Sequence, residues 1–156
     1  MLYAVLKLVH LLSLVVWIGG MFFALACLRP ALGVLDAPAR PRLMGAVLAR
    51  FFAVVNAAIG LVLVSGLGML WSAWRAASPA GFAVPHSWGA MIVLGLAMMG
   101  IFGYLRGVLQ RRLQAALAAQ DGAAAAAVLA RIRAWVLVNL VIGVAIVAVM
   151  KLGASA

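Results

Sequence analysis

The residues best suited to chemistry are His10 and His86, the only two histidines in the chain. Each lies in or beside a long apolar segment, where an ionisable side chain is a functional candidate. Imidazole binds iron, copper or zinc well, and its neutral ring tolerates apolar surroundings. The pair therefore predicts a metal or cofactor site. Without a ligand, His10 would hydrogen-bond Ser13 or a backbone carbonyl, and His86 would open a helix at the membrane interface.

The neighbours of His10 form a stripe on an ideal helix. Trp17 and Met21 lie within about 20° of His10, at about 100° per residue, and Ser13 and Gly20 lie beside them. An aromatic ring, a thioether and two small groups suit a flat macrocycle such as haem b. Close helix packing through small residues explains the glycines without any ligand.

Copper is the other metal that the side chains favour, because the chain has eight methionines and thioethers select Cu(I). Only Met98 and Met99 are adjacent, and consecutive helical residues point apart, so most methionines are expected to fill the core. Asn56 and Asn139 are predicted to be buried, bonded between helices or in contact with a ligand.

Three cations, Lys7, Arg75 and Lys151, are expected at the same face of the membrane as the histidines. They could pair with haem propionates. Anchoring at the lipid interface explains them equally well.

The elements that would position these residues are membrane helices. The chain is 69% hydrophobic and 9% charged, far from the roughly 45–50% and 25% of soluble domains. We therefore expect lipid as the solvent, with the cations flanking apolar runs rather than binding nucleic acid. The first run, from Leu8 to Leu28, is too long for the core of a signal peptide, so we expect a retained helix.

Four spans are predicted in one domain over 1–156, at about 2–28, 51–74, 86–105 and 134–150. Three connections separate them, at Arg29-Pro30 to Arg42, at Ser78-Pro79-Ala80-Gly81 and at Asp121-Gly122. The expected fold is all-α, an up-down-up-down four-helix bundle. Helices 3 and 4 are expected to continue beyond the membrane as a hairpin, because the alanine-rich stretch after Gly122 favours helix.

The cations predict the orientation of the bundle. Nine of them fall in the first and third loops and three on the other side, and the positive side is normally cytoplasmic. Both termini are then outward, which is the periplasm for a bacterial inner membrane. The nine are Arg29, Arg40, Arg42, Arg50, Arg106, Arg111, Arg112, Arg131 and Arg133.

Several kinds of site have no counterpart in the sequence. Neither Asp36 nor Asp121 lies within a predicted span, which disfavours a carboxylate proton relay. The single cysteine, Cys27, permits no internal disulfide and no cysteine cluster. The sequence also has no phosphate-binding glycine loop and no motif for hydrolysis.

The segments Leu6-Lys7-Leu8-Val9-His10-Leu11-Leu12 and Val16-Trp17-Ile18-Gly19-Gly20-Met21-Phe22 resemble the first helix of the copper-resistance protein D (CopD) domain family. They are also similar to the related HemJ-type protoporphyrinogen oxidases. The likeness extends thinly over most of the chain, through Arg50-Phe51, His86 and Val149-Met150-Lys151. In the HemJ-type enzymes the first-helix histidine, here His10, is implicated in haem b binding. The resemblance also implies porphyrinogen oxidation as an alternative function, although the important lysine two residues after the third-helix histidine is Trp88 in this sequence.

These features lead to one hypothesis and two rivals. The first is haem b held between helices 1 and 3 by His10 and His86, since two imidazoles fill both axial positions and favour electron transfer, with a quinone as partner. The second is copper transport or resistance, as the CopD resemblance implies, with His10, His86 and Met21 as ligands. The third is a structural subunit. Oxidoreductase activity and a homo-oligomeric assembly are compatible with the sequence, which decides neither.

Overall fold

The fold consists of four long helices in the computed structural model, which describes residues 1–77, 81 and 83–152. They are α1 (Leu2–Val34), α2 (Ala39–Ala77), α3 (His86–Ala118) and α4 (Gly122–Leu152). All four are long and apolar enough to cross a membrane, and the described residues contain no strand. The prediction of an all-α membrane fold with four helices is therefore confirmed. The predicted connection at Ser78-Pro79-Ala80 lies outside the described residues.

Apolar side chains cover the outside of the bundle as well as its core. Large apolar side chains such as Leu12, Val64 and Val144 are more than half exposed. The buried polar residues are His10, Ser13, Ser65 and Asn139. Since an exposed apolar surface of this extent needs an apolar solvent, the helices form an integral membrane bundle whose few polar groups are sheltered inside.

α1 and α2 pack side by side and contact each other in reverse order. His10 near the start of α1 meets Val62 in the second half of α2, whereas Gly20 faces Phe51 in the first half. Gly20 allows this approach because an added Cβ would lie 2.5 Å from a ring carbon of Phe51. The two helices are therefore antiparallel neighbours in close contact.

α4 lies between α1 and α3. A Cβ on Gly143 would lie 3.1 Å from Ile18 of α1 and 3.4 Å from Met98 of α3. Farther along the same pair of helices, the rings of Tyr104 and Trp135 meet edge to face with centroids 5.7 Å apart. The core of the bundle is built where these helices converge.

α2 begins at Ala39, twelve residues before the predicted membrane span that starts at 51. The predicted loop at Arg40, Pro41 and Arg42 is wrong, since all three lie in the first turn of α2. Proline is tolerated there because the first backbone N–H groups of a helix have no partner inside it. Arg40 also stabilises the preceding connection, donating to the carbonyls of Leu35 (2.8 Å) and Gly33 (3.2 Å).

α1 also continues past its predicted end at Leu28. A π-helical turn over Ala24–Leu28 precedes Pro30, and helical turns run on to Val34. Proline inside a helix lacks a donor and crowds the carbonyl four residues earlier, so the wider turn gives it room. A second π-helical turn lies in α3, over Leu105–Leu109.

α3 and α4 form a helical hairpin at the end of the bundle that carries most arginines. α3 extends to Ala118 and α4 begins at Gly122, as the sequence predicted for a hairpin turning at Asp121. The Asp121 side chain accepts a hydrogen bond of 2.9 Å from the Ala124 backbone N–H, which caps α4.

Candidate functional site

His10 is the best-positioned candidate ligand. It lies on the buried face of α1, with 7% of its surface exposed, and its ring enters the contact with α2. Nδ1 is 3.1 Å from the Val62 carbonyl oxygen and 3.1 Å from the Ser65 hydroxyl oxygen. A histidine in the membrane is therefore held by a neighbouring helix and not by Ser13, which instead donates to the Val9 carbonyl.

These contacts define the tautomer of the ring. A carbonyl oxygen only accepts hydrogen bonds, so Nδ1 must carry the proton that faces Val62. The Ser65 hydroxyl donates to the Leu61 carbonyl, so its oxygen can share the single Nδ1 proton with the Val62 carbonyl. In the neutral ring, Nε2 then keeps its lone pair. No described residue hydrogen-bonds Nε2, so this nitrogen is the one able to bind a metal.

A glycine makes room for this ring. A Cβ on Gly66 would lie 3.3 Å from Cε1 of His10, tighter than ordinary van der Waals contact. Gly66 follows Ser65 directly, so a small residue and a hydroxyl together form the surface of α2 that receives the imidazole. This Ser-Gly pair is visible in the sequence as a small, polar site within an apolar span, but the sequence alone does not assign it to His10.

A second polar cluster lies deeper in the core, where α1, α3 and α4 meet. Asn139 of α4 is 1% exposed, and its side-chain N–H group lies 3.8 Å from the sulfur of Met21. Its carbonyl oxygen, Oδ1, is buried without a hydrogen-bond partner among the described residues. A buried acceptor without a partner costs about 1–3 kcal/mol, so its presence in an otherwise apolar core calls for a physical reason.

Met98 brings a second thioether to this cluster. Its methyl group packs against Gly143, one turn from Asn139 along α4, and it is 1% exposed. Trp17 and Phe102 complete the surroundings, with ring centroids 6.2 Å apart. The Met98 thioether therefore contacts α4 about one helical turn from the pair formed by Met21 and Asn139.

His86 lies elsewhere. It is the first residue of α3 and is exposed, whereas His10 is buried between α1 and α2. The first buried residue of α3 is Met98, twelve positions farther along. The described contacts thus do not bring the two imidazoles together.

The remaining predicted site residues are also spread out. Lys7 is exposed on α1 and Lys151 is exposed near the end of α4. Arg75 lies over the Trp71 ring, 5.5 Å from its centroid. Asn56 is exposed on α2, so the prediction that it is buried is wrong. It lines a cavity of about 640 Å³ with Arg106 and other residues of α3.

The metal donors available in the described part of the chain are few. No group of three or more His, Cys, Asp or Glu residues lies close enough there to hold a metal ion. Cys27 is exposed in the π-helical turn of α1. A metal ion inside this bundle would therefore be coordinated by His10 or by methionines.

Comparison with known families gives one match. The family model described as Copper resistance protein D, CopD, matches residues 45–152, which is more than two thirds of the 156 residues. The chain belongs to the CopD family. No curated protein and no solved structure matches it significantly.

The CopD match confirms the family that the sequence resembles, but it starts at Gly45 and so leaves out α1. It covers His86, Met98 and Asn139, together with the Val62–Ser65 surface that receives His10. The relation to HemJ-type enzymes stays a prediction. His10 and Met21 lie outside the matched residues, and their contacts with Val62 and Asn139 are what mark them as candidate ligands.

Proposed function

We propose that this CopD family protein handles copper ions within the membrane, as a transport or resistance protein. The observation that carries the proposal is the contact of His10 Nδ1 with the Val62 carbonyl oxygen, which favours a proton on Nδ1 and a lone pair on Nε2. Metal-binding histidines are commonly oriented in this way, with the second ring nitrogen donating to a backbone carbonyl.

The second copper position is the cluster of Met21, Met98 and Asn139. Thioether sulfur atoms are soft ligands that select Cu(I) over the harder cations. The orphaned Oδ1 of Asn139 supplies an oxygen beside the Met21 sulfur. An ion there would give this buried acceptor the partner that it lacks among the described residues.

The two positions are separate. His10 and Met21 lie on the same buried face of α1, about 16 Å apart along the axis at a rise of about 1.5 Å per residue. They cannot bind one ion together, contrary to the ligand set of His10, His86 and Met21 considered from the sequence. Ser13 and Trp17 lie between them on that face, and neither is a soft ligand for Cu(I), so His10 and the methionine cluster are proposed as two distinct positions.

The proposal is tested by titrating the purified protein with Cu(I) against a coloured Cu(I) chelator under reducing, anaerobic conditions. The double variant Met21→Leu/Met98→Leu should bind at least about tenfold more weakly, as for the loss of a metal-site residue. The control is Met44→Leu/Met99→Leu, since these methionines are only partly buried at the edge of the core. No Cu(I) binding by the wild type, or equal losses in both variants, would refute the proposal.

Haem b is the second candidate, because an Nε2 lone pair on a ring fixed through Nδ1 also suits an axial ligand of haem iron. His86 would be the second axial ligand, and a quinone the electron partner. The donor set fits haem less well than copper, since His86 is exposed at the start of α3 and is not in contact with the His10 site. When bound, haem would supply one-electron transfer, and His10 would orient it.

An absorption spectrum separates the two candidates. Haem bound through His10 should give a Soret band in haem-supplemented membranes that is lost in His10→Asn. A spectrum without that band, together with Cu(I) binding in the titration, would support copper alone. A Soret band with no Cu(I) affinity would support haem alone.

A further inference from the structure

A cavity lies at the arginine-rich end of the bundle, away from His10. It has a volume of about 790 Å³ and is formed by the second half of α1, the first turns of α2 and the α3–α4 hairpin. Its wall along α4 extends from Gly122 to Val136, a length of about 21 Å at a rise of about 1.5 Å per residue. The cavity is thus a long groove, which suits an elongated ligand.

The charge of this groove is strongly positive. Four arginines line it, namely Arg29, Arg40, Arg42 and Arg133, against one acid, Asp121. The Asp121 carboxylate is engaged with the backbone of α4, and Arg40 with the carbonyls of the α1–α2 connection. Arg29, Arg42 and Arg133 make no hydrogen bond or ion pair with any residue in the described part of the chain. Their charges are therefore available to an anion.

The groove changes from polar to apolar along its length. Its lining includes Leu25, Leu48 and Val136 at one end, where α1 and α4 enter the core. Arg29 and Arg133 lie about one helical turn from Leu25 and Val136, at the boundaries of the predicted spans. An occupant with a negative group at this boundary and an apolar chain toward the core would match both parts.

We propose that this groove binds an anionic phospholipid. Its phosphate would lie between Arg29 and Arg133, and an acyl chain would extend past Leu25 and Val136. Basic pockets between membrane helices on the positive side of a protein are suited to anionic head groups. The guanidinium group donates two parallel hydrogen bonds to phosphate oxygens. An anionic lipid is favoured over a zwitterionic one because its head group has no cation to oppose the arginines.

The test measures lipid binding to the delipidated protein in detergent, using phosphatidylglycerol, phosphatidylcholine and inorganic phosphate as separate probes. The wild type should bind phosphatidylglycerol at least about tenfold more tightly than phosphatidylcholine, given roughly 1 kcal/mol for each cation near an anionic head group. The variant Arg29→Gln/Arg133→Gln should lose about 10- to 30-fold in affinity for phosphatidylglycerol. Equal binding of the two lipids would overturn the proposal.

The matched control is Arg112→Gln/Arg131→Gln, which removes the same charge from the hairpin but outside the groove. It should change the affinity less than about threefold, because only a diffuse attraction is lost. Equal losses of phosphatidylglycerol affinity in the two double variants would show non-specific attraction and refute a lipid site in the groove. Competition by inorganic phosphate at similar concentrations would assign the site to free phosphate instead of lipid.

A measurement on the wild type guards against misfolded variants. A phosphatidylglycerol with a photoreactive group in one acyl chain should crosslink to the segments that line the apolar end, near residues 24–25 and 132–136. Crosslinks spread evenly over the exposed apolar faces of the four helices would contradict a defined site.

Discussion

His10 carries most of the functional argument because its two ring nitrogens have different surroundings. Nδ1 faces Val62 and Ser65, whereas Nε2 has no protein partner in the described residues. A histidine needed only for packing would be satisfied by the first contact. The lone pair on Nε2 is the feature on which the copper proposal depends.

Replacing His10 with asparagine separates these two roles. The amide N–H of the introduced asparagine can take the place of Nδ1–H toward the Val62 carbonyl, but it offers nothing at the position of Nε2. We expect His10→Asn to lose Cu(I) affinity at least about tenfold while its free energy of unfolding falls by no more than about 1.5 kcal/mol. Cu(I) titration and unfolding in detergent measure the two effects.

The control for this variant is His86→Asn, which changes the exposed histidine. Under the copper proposal it should leave both quantities near their wild-type values. Full Cu(I) affinity in His10→Asn would show that the buried imidazole serves only the packing of α1 on α2.

Asn139 offers a second test, because structure and function predict opposite effects of its removal. Leucine is similar in size and has no orphaned carbonyl, so Asn139→Leu should raise the free energy of unfolding by about 1–3 kcal/mol. The same variant should bind Cu(I) more weakly, since an oxygen donor beside Met21 is lost. Asn56→Leu is the control, because Asn56 is exposed. A loss of stability in Asn139→Leu with unchanged Cu(I) binding would contradict a ligand role.

At the scale of single residues, the sequence identified candidates better than it identified their partners. His10 and Asn139 could be selected because polar groups are rare within apolar spans, and Met21 because it lies on the same helix face as His10. The contact of His10 with Ser65 could not be predicted, since it depends on the rotation and axial shift of α2 relative to α1. The prediction that Asn56 is buried was wrong for the same reason, since the position of a residue in the chain does not show which side of a helix faces lipid.

The helices themselves were predicted with more success than their ends. Apolar length locates the segments that lipid requires, and all four appear. Hydropathy does not detect helical turns outside the membrane, so the start of α2 was placed at 51 rather than at Ala39. Pro30 and Pro41 misled the prediction because each is accommodated, one after a π-helical turn and the other in a first turn.

The packing of α1 on α2 depends on one of two adjacent glycines. A Cβ on Gly20 would overlap the ring of Phe51, which is itself in contact with Phe52, whereas a Cβ on Gly19 would meet nothing within 4 Å. Gly20→Ala should lower the free energy of unfolding by about 1–3 kcal/mol through overpacking. Gly19→Ala should be neutral or slightly stabilising, because alanine favours helix by up to about 1 kcal/mol.

Denaturation of both variants in mixed micelles measures this difference. Similar unfolding free energies for Gly20→Ala and Gly19→Ala would contradict the close approach of the two helices at Phe51. The comparison is well controlled, because the two substitutions are chemically identical and lie on neighbouring residues of one turn.

The whole molecule has an asymmetric distribution of charge, and the two proposed ligand sites follow it. His10, the proposed copper ligand, lies toward the end with three cations, and the groove proposed to bind phospholipid lies at the arginine-rich end. A sequence alone predicts the asymmetry, because it needs only the order of apolar and basic segments. It does not predict the groove, which forms where four separate stretches of chain come together.

The side of the membrane on which the arginine-rich end lies can be measured at two connections of the chain. Nine of twelve cations lie at the arginine-rich end, so this end should be cytoplasmic, since positive loops are retained there. In a Cys27→Ser background, Ala119→Cys would place one thiol in the α3–α4 turn, and Ala83→Cys would place one before α3; both alanines are exposed. A membrane-impermeant maleimide should label Ala83→Cys in intact cells and Ala119→Cys only after the membrane is opened. The reverse pattern would put His10 toward the cytoplasm, and copper would then reach the methionine cluster from inside the cell rather than from outside.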